Sequence, residues 1–159
     1  MAADSLEIFI FMIEGQRFAI HLQSIEQVIR AQSITKLTDA PGFIEGVIDY
    51  HGELVAVINL RSRLSYPLQD IKIDDRFIIV KTPERKLILI VDEVEGVISP
   101  TAEDLKNSKE INGGLKYLNI LRDDNGIILI YDLENVLSKS EEIELKKVIE
   151  TRFPEYNGS

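Results

Sequence analysis

Residues 43–64, FIEGVIDYHGELVAVINLRSRL, decide the fold: two dense apolar runs flank His51-Gly52-Glu53, and a short polar segment opens at Asn59. A glycine centred between β-rich runs signals a hairpin, because glycine accepts the positive φ that tight turns often need. Leu54, Val55, Ala56, Val57 and Ile58 are consecutive, whereas a half-exposed strand would alternate. This strand is therefore expected to have both faces covered. After it, Asn59 can cap one helical turn, with Leu60 and Leu64 four apart on one side.

Outward from this hairpin, three more pairs of apolar runs follow the same plan. Leu6–Ile13 and Phe18–Leu22 flank Glu14-Gly15-Gln16-Arg17. Phe77–Lys81 and Leu87–Val91 flank Thr82-Pro83-Glu84-Arg85, and Lys116–Arg122 and Ile127–Tyr131 flank Asp123-Asp124-Asn125-Gly126, the strongest turn signal in the chain. Between the first two hairpins, Ile25, Val28 and Ile29 fall at the spacing of one helical face, followed by a polar connector ending in Ala40-Pro41-Gly42. Residues 65–75 read as a polar loop, and Thr101 to Asp104 can start a helical turn. Residues 138–153 read as a terminal helix: Ser138 and Glu141 have capping-box spacing, Leu145, Val148, Ile149 and Phe153 share a side, Glu142 precedes Lys146 by four, and Pro154 stops it.

The hairpins repeat. Phe18, Ile20, Leu22, Ile25, Val28 and Ile29 align with Leu87, Leu89, Val91, Val94, Val97 and Ile98, each 69 residues on. Leu54, Val57, Asn59, Leu60 and Leu64 align with Ile127, Ile130, Asp132, Leu133 and Leu137, each 73 residues on. The chain thus reads hairpin A, B, A′, B′, which predicts two related small β subdomains, most simply two barrels of about five strands each. A small barrel uses mainly its inward face, so the surplus of apolar positions calls for a cover: the other subdomain, a partner, or both.

At 159 residues with 45% hydrophobic content, a packed core can form. A formal charge of −9 argues against nucleic acid or an anionic membrane as the main partner, and the absence of cysteine removes disulfides and thiolate chemistry. The longest apolar run, Ile8–Ile13, is far short of the ~20 residues a membrane helix needs, and the N-terminus lacks a basic region followed by an apolar one. The expectation is an intracellular protein without membrane insertion. Two histidines, His21 and His51, are too few for a histidine metal site, and no phosphate-binding, dinucleotide-binding or nucleophile-elbow motif occurs. Asp123, Asp124 and Asp132 are better explained by turns and caps than by calcium. The residues describe a catalytically silent interaction module with no cofactor and no metal. The competing enzyme reading needs a pocket between the barrels, with His51 beside Asp49. A nucleic-acid-binding barrel is disfavoured by charge and by the lack of an aromatic and basic face.

Several segments resemble the CheW-like chemotaxis coupling family. Ile25-Glu26-Gln27-Val28 stands at the family's V-x-E-I, Ala40-Pro41 with Gly46-Val47 at its next motif, and Asp49-Tyr50-His51-Gly52 at N-L-R-G. Ala56-Val57-Ile58-Asn59-Leu60-Arg61 stands at P-V-x-d-L-r and Ile90-Val91-Asp92-Glu93-Val94 at V-D-x-V. Ser99 to Glu103 and Gly126 to Leu137 resemble the segments that follow. The resemblance implies a mainly β fold of two intertwined five-stranded SH3-like barrels with short helical turns and a C-terminal helix. The division expected is a CheW-like domain over 6–137, the helix over 138–153, and flexible tails at 1–5 and 154–159.

It further implies a non-enzymatic adaptor joining the regulatory domain of the histidine kinase CheA to the cytoplasmic tip of a methyl-accepting chemoreceptor, in the cytoplasm at membrane-bound receptor arrays. A CheW-like scaffold in a sister chemosensory pathway is the alternative. The residues matching the receptor groove are Ile25, Gln27, Val28 and His51, with Val97 and Ile98 as second-subdomain counterparts. The kinase is expected on the hairpin around Phe43, Ile44, Ile48 and Val55, while Gly46, Gly52 and Gly126 serve backbone geometry. The chain departs from the family at three positions: His51 replaces an arginine, Gln27 a glutamate and Ala56 a proline. Arginine to histidine loses a permanent charge and a bidentate fork.

Overall fold

The computed structural model describes residues 7–101, 104, 117–131, 133 and 136–156. Among these residues eleven strands form two sheets: β1 Ile8–Ile13, β2 Gln16–His21, β3 Ile25–Arg30, β4 Thr35–Lys36, β5 Ile44–Tyr50, β6 Glu53–Asn59, β7 Arg76–Lys81, β8 Lys86–Val91, β9 Glu93–Ile98, β10 Tyr117–Asp123 and β11 Gly126–Tyr131. One helical turn, α1 Leu60–Arg63, follows β6, and α2 Lys139–Arg152 closes the chain. The fold is mainly β, with two sheets and a C-terminal helix.

The strand order shows how the halves interleave. The first sheet runs β10-β11-β2-β1-β9, and the second, taken from its other edge, β4-β5-β6-β8-β7-β3. Each sheet therefore joins hairpin A of one half to hairpin B of the other through a parallel pair, β2 with β11 and β8 with β6. The parallel registers coincide under the sequence offsets: Leu129 opposes Phe18 as Ala56 opposes Leu87, and Ile130 opposes Ala19 as Val57 opposes Ile88. Bulges coincide too. The register of β1 with β9 slips past Glu95, and that of β3 with β7 slips past Glu26, 69 residues earlier. A bulge inserts one unpaired residue and bends its strand, so both edge strands bend at one place.

The cores repeat in the same way. Ile8, Ile10, Ala19, Leu121, Ile128 and Ile130 fill the first sheet's own cluster. The equivalent positions Phe77, Ile79, Ile88, Ile48, Val55 and Val57 fill the second sheet's. A third and larger cluster takes the other face of both sheets, with Phe11, Phe18 and Ile20 on one side and Val80, Leu87 and Leu89 on the other. This explains the unbroken apolar run of β6: Val55 and Val57 face the sheet's own cluster, Ala56 and Ile58 the shared one. Both faces of that strand are covered.

Four differences from the sequence reading have physical causes. Ile25, Val28 and Ile29 lie on strand β3, not on a helical face; the only helical residues there are a 3-10 turn, Leu22–Ser24. β-branched side chains favour the strand, and pairing with β7 supplies the hydrogen bonds. The second sheet has six strands, because Thr35 and Lys36 pair with β5, and the ladders of neither sheet join end to end among the described residues. The helix cap forms as read, with Ser138 and Glu141 exchanging reciprocal bonds, but Glu142 pairs with Arg85 at 2.9 Å. Finally, residues 154–156, expected in a flexible tail, form a 3-10 turn. Asp132, expected to match Asn59, lies outside the described residues, as do residues 1–5 and 157–159.

Two devices fix the junction of the sheets. Asn59 caps α1 by accepting from the amides of Arg61 and Ser62. That turn aims Arg61 inward, where its guanidinium meets Glu14, Asp92 Oδ2 at 2.6 Å and the carbonyl of Pro67 at 3.2 Å. Burial works against the charge of Arg61, yet its bonds to Glu14 and Asp92 outweigh it and its pKa is raised. The buried Arg61, just after β6, thus ties the second sheet to Glu14 in the β1–β2 turn and to Asp92 between β8 and β9.

Candidate functional site

The site grows from the tip of hairpin β5–β6. His51 and Gly52 both take positive φ, 54° and 82°. Two such residues in a two-residue loop make the turn whose twist matches the flanking strands. Asp49 supports it, accepting the Gly52 amide on Oδ1 at 2.8 Å. Its Oδ2 accepts the Tyr156 hydroxyl at 2.6 Å, and the two bonds, the tyrosine's first, hold the carboxyl below its ordinary range. The Tyr156 phenol is raised by the same carboxylate.

Beside the turn, edge strand β3 comes close. Tyr50 donates its hydroxyl to Gln27 Oε1, and its ring meets His51 edge-on with centroids 4.3 Å apart. Gln27 and His51 thus flank one tyrosine, although β3 and β5 are four strands apart in the sheet order. Next to them the bulged Glu26 takes Lys86 at 3.2 Å and Lys81 at 3.5 Å, and Lys86 reaches Glu53 at 3.5 Å. The bond with Lys86 holds Glu26 below its ordinary pKa and raises Lys86. These groups, exposed except for the half-buried Lys86, form a polar rim of both signs. Ile25 and Val28, half-buried on β3, pack on the shared core beneath it.

The other sequence candidates divide by burial. Val97 on β9 is 46% exposed, whereas Ile98 packs on the first sheet's own cluster. Both belong to the other sheet. Phe43, Ile44, Ile48 and Val55 are all buried, so their side chains offer no surface. Ile48 and Val55 lie inside the second sheet's cluster; Phe43 lies in the shared core, with Arg63 stacked over its ring at 4.3 Å. Gly46 is fixed by space: a Cβ there would sit 2.1 Å from the Thr35 carbonyl oxygen, on the strand β4 that pairs with it. Gly126 opens β11 at φ 121°.

The arrangement offers contacts, not chemistry. Asp49, the partner an enzyme reading needs for His51, has both oxygens occupied by Gly52 and Tyr156. A cleft of about 490 Å³ lies elsewhere, between the β7–β8 turn and the start of α2, lined by Thr82, Leu133, Leu137 and Ile143. Among the described residues no three acidic or histidine side chains gather as a metal site, and no helix is long and apolar enough to cross a membrane.

Sequence reasoning missed Tyr50, Tyr156 and the ion pairs of Glu26. A signal existed for the last: Glu26 and Glu95 stand at equivalent positions, as do Lys86 and Arg17. Nothing local in the sequence links Tyr156 to Asp49, 107 residues away.

A family model described as the CheW-like domain matches residues 7–141. The chain is similar to the chemotaxis protein CheW of Thermotoga maritima, 29% identical over 148 residues that span 92% of this chain and 95% of the relative. It is similar to that of Bacillus subtilis, 27% identical over 136 residues, spanning 84% and 87%. Among solved structures it resembles the scaffolding protein TtCheW from Thermoanaerobacter tengcongensis, with a TM-score of 0.76 at 25% identity over 86% of this chain and 95% of that one.

Proposed function

Because the chain belongs to the CheW-like family of chemotaxis scaffolds, which are adaptors and not enzymes, we propose that it couples chemoreceptor tips to the histidine kinase CheA. The observation that carries this reading is the face built by β3 and the β5–β6 turn. Gln27, Tyr50 and His51 present polar atoms there over the half-buried aliphatics Ile25 and Val28. An apolar floor with a polar rim is what an amphipathic helix needs, the apolar side supplying affinity and the rim register. Val97, on the equivalent strand of the other sheet, extends the proposed receptor face.

We keep the kinase regulatory domain in the region of the same hairpin, around Phe43, Ile44, Ile48 and Val55; these four are buried, so they would shape that region from within and not touch the partner themselves. The CheW-like domain is taken as residues 6–137, with α2 packed on it through the buried Leu145. Such an adaptor works in the cytoplasm at receptor arrays.

The test is an NMR titration of the labelled protein with a receptor-tip fragment and, separately, with the kinase regulatory domain. Shifts at Ile25, Gln27, Val28 and His51 with the receptor fragment, and a different set with the kinase domain, are expected. Binding by neither partner sinks the proposal. Val28→Asp should weaken receptor binding while circular dichroism still shows the fold; a variant that unfolds would assign Val28 to the core alone.

A further inference from the structure

We infer that Tyr156, in the turn after α2, is a positioning residue for the receptor face: its hydroxyl holds Asp49, and Asp49 holds the backbone on which His51 is presented. The inference rests on the receptor reading above and adds to it a part contributed from outside the sheet. His51 is a non-glycine residue at positive φ, a conformation that side chains adopt only when their surroundings fix it. The fixing group is the Asp49 carboxylate. One oxygen takes the Gly52 amide at 2.8 Å and the other the Tyr156 hydroxyl at 2.6 Å. Without the second bond, Asp49 keeps rotamers that abandon Gly52, and the turn gains alternatives it must lose on binding.

Tyr156 is itself held. Its amide bonds the Phe153 carbonyl at 3.1 Å, and its ring meets that of Phe153 edge-on at 6.5 Å. Phe153 caps α2 through the Ile149 carbonyl at 2.8 Å, and Arg152 pairs with Asp39 at 3.1 Å on the connector leading into the hairpin. The helix end is therefore a clasp, anchored at Asp39 and closed at Asp49. Preorganising a binding loop raises affinity by removing the ordering cost, so the clasp is read in partner affinity before it is read in stability.

The experiment uses the full chain with Tyr156→Phe, Asp49→Ala and the double variant. Calorimetric titration with the receptor-tip fragment should give affinities about three- to tenfold weaker for each single variant, with the double no weaker than Asp49→Ala, because both act through one carboxylate. Affinity for the kinase regulatory domain and the unfolding midpoint of Tyr156→Phe should stay at wild-type values. Hydrogen exchange of the Gly52 amide should accelerate in Tyr156→Phe, a readout independent of any partner. Unchanged exchange at Gly52 overturns the clasp. So does unchanged receptor affinity, or tighter binding by Tyr156→Phe, which would make residues 154–156 a cover over the face. A wild-type protein that binds no receptor fragment, with Gly52 exchange still dependent on Tyr156, would sink the receptor reading and leave the clasp standing.

Discussion

The two sheets close the same end with different chemistry. In the first, Arg17 on β2 reaches both edges: Glu95 on β9 at 2.7 Å and Asp123 on β10 at 2.6 Å, each through two nitrogens. In the second, the equivalent residue is Lys86, which reaches Glu26 and Glu53 at 3.2 and 3.5 Å. Arg17 is 8% exposed, and bonds to Asp123 and then Glu95 raise its pKa further. A planar fork shared by two carboxylates is a fixed geometry; an ammonium on a flexible stem is a solvated one. The rest of the closure on the second sheet is left to Gln27 and Tyr50, beside His51. One sheet uses this end to hold itself together, and under the function proposed above the other keeps it for contact.

That contrast is broken first at Gly46. It exists because β4 pairs with β5; the equivalent position 119 holds asparagine. A Cβ at 46 meets backbone at 2.1 Å, and backbone cannot step aside as a flexible side chain can. Gly46→Ala should therefore cost about 3 kcal/mol, an overpacking at the upper end of its usual range, measured by urea unfolding. A cost under about 1 kcal/mol would show that β4 detaches freely.

Arg17→Met comes next. It keeps much of the side chain's apolar length and removes the charged bonds, so a loss of about 2 kcal/mol is expected. Lys86→Met should shift the urea midpoint far less, its partners already being hydrated. Equal shifts for the two would erase the distinction between the sheets.

The acid limb sharpens it. Asp123 is held below its ordinary pKa, chiefly by its bond to Arg17. A depressed carboxyl contributes stability that is full above its unfolded pKa, near 4, and lost as pH falls through its lower folded value. The wild-type protein should therefore lose stability as pH falls below about 4, more steeply than Arg17→Met, in unfolding midpoints measured down the acid range. Parallel curves would mean that Asp123 takes no stabilisation from Arg17.

Most of the fold was legible because its signals are local or repeated. Four turns and the apolar runs around them placed eight of the strands, and equal spacings paired the halves. Strand β3 was misread because Ile25, Val28 and Ile29 match a helical spacing by accident of a bulge at Glu26, which shifts the side-chain alternation by one. Of the candidate site, His51 and Gln27 stand out in the sequence, where the family pattern breaks, whereas Tyr50 and Tyr156 do not. Their contacts join strands and a helix end that only the closed structure brings together. The apolar residues Phe43, Ile44, Ile48 and Val55, expected around the kinase contact, cannot be told from core in the sequence, because an apolar residue on a hairpin reads alike whichever face it takes; the cluster inside the second sheet decides it for Ile48 and Val55.

The smallest effect on stability, and the one that most isolates contact from closure, belongs to His51→Arg. His51 is exposed, and arginine is only somewhat less suited than histidine to its positive φ, so the unfolding midpoint should fall slightly at most. What changes is the rim: a permanent charge and a bidentate donor arrive beside Tyr50 and the neutral Gln27, where no carboxylate is bonded to that tyrosine. Receptor-tip affinity should move several-fold while kinase-domain affinity does not. Adding Gln27→Glu gives the new guanidinium a partner across Tyr50 and should return part of that change, so the two substitutions should be non-additive in binding. If His51→Arg instead lowers the unfolding midpoint as Arg17→Met does, this turn closes the second sheet as Arg17 closes the first, and both ends are structural.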